Sequence, residues 1–120
     1  MRRIHVLRRK MMGEIFMSDK VLVAGVGEIP PGKAKVVKMG NIDVAVFNVE
    51  GKFYAIKDSC PHQGDPLSRG SLDGMTLTCP GHGWKFDLKS GRCIKGDEEL
   101  SLRTFDTSVD GEQVWVISPY

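Results

Sequence analysis

Long hydrophobic runs are absent from this 120-residue sequence. No stretch approaches the roughly 18 to 20 apolar residues that a membrane-spanning helix needs. Cysteine is scarce, with three in all. An odd, small number reads as metal chemistry or buried thiols before a disulfide framework. Histidine is equally scarce, at three. A large excess of one charge is also missing, since the formal net charge is +2. Most of that surplus is local: residues 1–17 hold Arg2, Arg3, Arg8, Arg9 and Lys10 against Glu14 alone, which leaves the rest slightly acidic. A basic face for nucleic acid or anionic lipid is therefore not expected on the main body. What is present is an ordinary globular balance, 41% hydrophobic and 27% charged residues, too apolar for a disordered chain.

The length fits one domain. The composition divides it into a basic N-terminal extension, residues 1–17, and a folded domain, residues 18–120. The extension reads as a flexible arm upstream of Met17, or as a short amphipathic helix with Ile4, Leu7, Met11 and Ile15 on one side. Glu14, Asp19 and Lys20 interrupt any stretch that would serve as a secretory or twin-Arg signal. The expected location is the cytoplasm.

From Val21 onward no segment keeps a 3.6-residue apolar period. Short runs rich in Val, Ile, Phe and Tyr alternate with Gly-containing turns. Expected strands are Val21–Gly25, Lys33–Met39, Ile42–Val49, Lys52–Asp58, Met75–Cys79, Trp84–Asp87, Arg92–Lys95, Leu102–Val109 and Gln113–Ile117. Turns fall at Gly40-Asn41, Glu50-Gly51, Asp73-Gly74, Ser90-Gly91 and Asp110-Gly111, with a further break at Pro30-Pro31-Gly32. The fold class is all-β, a small antiparallel β-sandwich or barrel.

The chemistry is concentrated in two segments, Cys60-Pro61-His62-Gln63-Gly64-Asp65 and Cys79-Pro80-Gly81-His82-Gly83-Trp84. Each follows an expected strand and offers one thiol and one imidazole. Such donors select zinc or an iron–sulfur centre over calcium or magnesium. A structural zinc site usually pairs Cys with Cys and His with His, two or more residues apart. Here the order alternates and a single residue separates Cys60 from His62. That spacing suits two metal atoms a few ångström apart, although a zinc site remains a rival at this point. Cys93 reads as a small apolar strand residue, and His5 as a solvated residue of the extension.

The pattern C-x-H, sixteen residues, C-x-x-H resembles the Rieske family over roughly residues 20–120. The resemblance implies a Rieske-type domain over 18–120, with a cluster-binding subdomain of two loops. It further implies one 2Fe–2S cluster, with Cys60 and Cys79 on the buried iron and His62 and His82 on the exposed one. High-potential members carry two further cysteines that join the loops; Asp65 and Gly81 stand there instead. They also place hydroxyl donors where Trp84 and Phe86 stand. Fewer hydrogen bonds to sulfur mean a lower potential, so the likeness is to soluble low-potential ferredoxins. The third loop, Gly96-Asp97-Glu98-Glu99, lacks the proline found in many relatives.

The resemblance thus implies a monomeric, non-enzymatic carrier of single electrons from a reductase to an acceptor such as an oxygenase, with no nucleic-acid or membrane partner. An oxygenase would need a second iron site of two His and a carboxylate, and only His5 remains unassigned. The alternatives are a small Rieske subunit of a nitrite-reductase-like complex and a zinc-binding interaction module.

Overall fold

The apolar run Val44–Phe47 lies in a strand that is covered on both faces. In the computed structural model, which describes residues 16–17 and 20–119, the strands in chain order are β1 (Phe16–Met17), β2 (Lys20–Gly25), β3 (Ala34–Met39), β4 (Ile42–Val49), β5 (Lys52–Lys57), β6 (Ser71–Asp73), β7 (Thr76–Thr78), β8 (Lys85–Asp87), β9 (Cys93–Lys95), β10 (Thr104–Phe105), β11 (Thr107–Asp110) and β12 (Gln113–Ile117). They form three antiparallel four-stranded sheets, in the orders β1-β2-β12-β11, β10-β5-β4-β3 and β6-β7-β8-β9. The all-β expectation holds. Short 3-10 turns at Val26–Glu28 and Leu67–Arg69 are the helical elements among the described residues.

Side chains alternate between the faces of a strand, and β4 uses both. Val44 and Val46 join a core with Val21, Val23, Val37, Met39, Phe53, Ala55, Val114 and Val116, between the first two sheets. Ala45 and Phe47 point the other way, into a second core with Ile56, Leu67, Leu77, Phe86, Leu88 and Leu102. The third sheet therefore sits on the back of the second. Burying a side chain such as Phe47 or Ile56 contributes about 1.5–3 kcal/mol relative to exposure. Asn48, the buried polar residue of β4, donates to the Ile29 carbonyl at 2.7 Å and accepts the Gly51 N–H at 2.8 Å. Its polar atoms are thereby satisfied, which fixes the β4–β5 turn.

Two expectations needed revision. The run Leu102–Val109 is not one strand: β10 pairs with β5, β11 pairs with β12, and the chain changes sheet at Asp106. Such a switch is how a sandwich makes a corner, and the Thr107 hydroxyl secures it by donating to the Phe53 carbonyl at 2.7 Å. Strand β6 was not expected, because Ser71-Leu72-Asp73 holds one apolar residue and shows no alternation. Of the extension, Phe16–Met17 pair with Val21 and Lys20; His5 and the amphipathic pattern lie outside the described residues.

Candidate metal centre

The two motif segments fold into copies of one loop. Cys60 donates its N–H to the Asp65 carbonyl at 2.8 Å, and Gly64 donates to the Cys60 carbonyl at 2.7 Å. Nineteen positions on, Cys79 donates to the Trp84 carbonyl at 2.7 Å and Gly83 to the Cys79 carbonyl at 3.2 Å. Gly64 and Gly83 turn the chain at φ +82° and +76°, a conformation that side chains with a Cβ disfavour. Pro61 and Pro80 fix φ at the equivalent place after each cysteine. The copies differ in one respect: the histidine is two residues after the first cysteine and three after the second. The two imidazoles are consequently not related by the symmetry of the loops.

Each loop is anchored from behind. The Asp58 carboxylate accepts the Ser68 N–H at 2.6 Å and its hydroxyl at 2.8 Å, which ties the start of the first loop to the 3-10 turn that follows it. In the second loop, Lys85 donates to the Thr78 hydroxyl at 2.9 Å across β7 and β8. Charge-assisted hydrogen bonds of the Asp58 kind contribute about 1.5–3 kcal/mol. Asp58→Ala is expected to lose about that much, seen as a lower urea midpoint with an unchanged slope. A midpoint equal to that of the wild type would show that the latch is not a stabilising contact.

The structure places Cys60 beside Cys79 and His62 beside His82. Cys60 and Cys79 are both 2% exposed and free of disulfide, and their thiols interact directly. Burial pushes the Cys60 thiol up from its ordinary value; the His62 N–H pulls it down; Cys79 pushes it up again; the Gln63 N–H adds a smaller pull downward. His62 is half-buried and His82 exposed, with ring centroids 5.0 Å apart at 75°. The donors separate into an inner thiol pair and an outer imidazole pair. Among the described residues, no three His, Cys, Asp or Glu side chains converge where one ion could sit. Division of the donors into two pairs instead fits a group with two metal atoms, the inner bound by sulfur and the outer by nitrogen.

Other residues of the motifs are placed as follows. The Asp65 carboxylate occupies the space that a Cβ on Gly81 would take, so the loops touch where high-potential relatives join them covalently. Phe86 is fully buried. Trp84 packs against the second core and stacks on His62. Cys93 lies in that core, opposite Phe86 on β9. Burial is the main cause that raises its thiol pKa; the Lys95 N–H opposes this, and the charges of Asp97 and Glu98 add to it. The stack on His62 and the Asp58 latch were not found from sequence; the adjacency of His82, Gly83 and Trp84 was the available signal for the first.

Residues 19–106 match the family model described as the Rieske [2Fe-2S] domain. The chain is 34% identical over 104 residues to the 3-phenylpropionate/cinnamic acid dioxygenase ferredoxin subunit of Shigella flexneri serotype 5b, covering 84% of this chain and 95% of that one. It is 32% identical over 122 residues to the 4beta-methylsterol monooxygenase of Methylococcus capsulatus, of which it spans only 33%. Among solved structures, the ferredoxin of carbazole 1,9a-dioxygenase from Nocardioides aromaticivorans superposes with a TM-score of 0.80 at 27% identity, covering 84% of this chain and 99% of that one. The match spans most of the chain, and the two-loop motif falls inside it: this chain belongs to the Rieske 2Fe–2S family.

Proposed function

We propose that residues 18–120 form a ferredoxin that carries single electrons from a reductase to an oxygenase or similar acceptor in the cytoplasm. The observation that carries this reading is the segregation of two buried thiols from two outward imidazoles between paired loops. In this reading Cys60 and Cys79 hold the inner iron, and His62 and His82 the outer one. A 2Fe–2S cluster bound there supplies a one-electron couple. The protein's own part is to exclude water from the thiolates, to aim N–H groups at sulfur, and to present the imidazoles to a partner. The match to a whole dioxygenase ferredoxin subunit, against a third of a monooxygenase, supports a separate carrier rather than an enzyme. No helix among the described residues is long and apolar enough to cross a membrane.

The test is an anaerobic titration followed by mixing with an oxygenase component. The carrier reading predicts uptake of one electron per chain and its loss to the acceptor. Failure to take up an electron overturns it, and so does a stable complex with a large reductase subunit as the only form that transfers.

Potential gives a second check. The hydroxyl donors of high-potential relatives are replaced by Trp84 and Phe86, so the midpoint should fall in the lower part of the family range, roughly −150 to +300 mV. Phe86→Tyr should raise it where the new hydroxyl reaches sulfur, at a cost in stability because Phe86 is fully buried. A wild-type midpoint in the upper part of that range would contradict this account of the missing donors.

A further inference from the structure

One side chain joins all three loops around the site. The indole of Trp84, from the second loop, lies parallel to the His62 ring of the first, with centroids 4.2 Å apart and planes 8° from parallel. Gly96, which opens the third loop, presses its backbone on the same indole: a Cβ there would run into the six-membered ring. Gly96 also has φ +135°, so a side chain is disfavoured by conformation as well as by space. His82 is held differently. It is exposed and meets His62 edge-on, and among the described residues no ring is stacked on it.

We propose that Trp84 is a positioning residue that clamps the plane of His62, with Gly96 backing the clamp, so that the two imidazole ligands are not equivalent. The proposal rests on the ligand set given above. Parallel stacking resists rotation of the imidazole about its own Cβ–Cγ bond, because rotation would drive the ring edge into the indole. A nitrogen ligand must keep its lone pair aimed at the metal, so restraint of that torsion slows its release. Nothing comparable restrains His82 apart from its own loop.

The test uses the reduced, cluster-loaded full chain and pulsed EPR, which resolves the nitrogen coupling of each histidine ligand. Trp84→Ala should move one coupling and leave the other in place. Loss of the cluster to a chelator should quicken by about two- to tenfold, the range that an aromatic pair supports. Trp84→Phe retains a stacking ring and should restore both couplings. Gly96→Ala should reproduce the alanine pattern with the indole still present, by pushing it off its seat. This last variant carries the test if Trp84→Ala takes up no cluster. Unchanged couplings in Trp84→Ala or Gly96→Ala, or equal movement of both, overturn the clamp. A Trp84→Phe protein that behaves like Trp84→Ala also overturns it. Wild-type protein without two histidine couplings would instead refute the ligand set.

Discussion

Cys60→Ser and Cys79→Ser are each expected to yield protein with no iron–sulfur cluster, while Cys93→Ser keeps the full content. All three thiols are buried in one apolar core, so burial alone does not separate them. Position does. Cys60 and Cys79 begin the two matched loops and meet each other, whereas Cys93 faces Phe86 across β8 and β9. Serine at the loop positions replaces a soft thiolate by a hydroxyl that stays protonated at neutral pH and competes poorly for iron. Metal binding also holds the loops, so its free energy is partly folding energy. The two loop variants should therefore unfold at lower temperature than the loaded wild type. Iron and acid-labile sulfide content give the answer. Full content in either loop variant would remove that cysteine from the ligand set, and loss in Cys93→Ser would place a ligand on β9.

The second large effect is on the rate of electron transfer. Gly96 touches Trp84, which stacks on His62, so the third loop borders the half-buried His62 imidazole. That loop carries Asp97, Glu98 and Glu99, all exposed. The Asp97 carboxylate accepts the Glu99 N–H at 2.9 Å, which holds the acids in a defined turn. If partners approach this end, a rim of this sign would steer a basic partner surface toward it. Replacing the three acids by Asn and Gln should slow second-order transfer with the native reductase by about tenfold or more at low ionic strength. The wild-type rate should fall as salt rises, since charges at the surface are screened over about 8–10 Å. The midpoint potential should change little for the same reason. Stopped-flow rates at several salt concentrations decide the matter. A rate indifferent to both salt and substitution would leave these acids as an ordinary solvated loop.

Much of this site is local in sequence. Proline after each cysteine and glycine four residues on are visible in the text, and they are what shape the two loops. Strand β4 is legible too, since the expected strand Ile42–Val49 has the observed bounds. What sequence did not disclose depends on meetings between distant segments. The stack of Trp84 on His62 needs two loops to face each other, and the seat against Gly96 needs a third. The latch between Asp58 and Ser68 spans ten residues with no periodicity to mark it. The break at Asp106 was hidden because a strand that changes sheet keeps its β-forming composition on both sides. Strand β6 has three residues, too few for alternation to appear.

The central claim is that this chain holds a 2Fe–2S cluster through two thiolates and two imidazoles. The most direct measurement is the EPR spectrum of the purified, reduced wild-type protein, taken with its iron and sulfide content. The account predicts a coloured protein with two irons and two sulfides per chain, a signal from one unpaired electron, and hyperfine coupling to nitrogen from two histidines. A colourless protein holding a single zinc ion, or a reduced cluster without histidine nitrogen coupling, would contradict it.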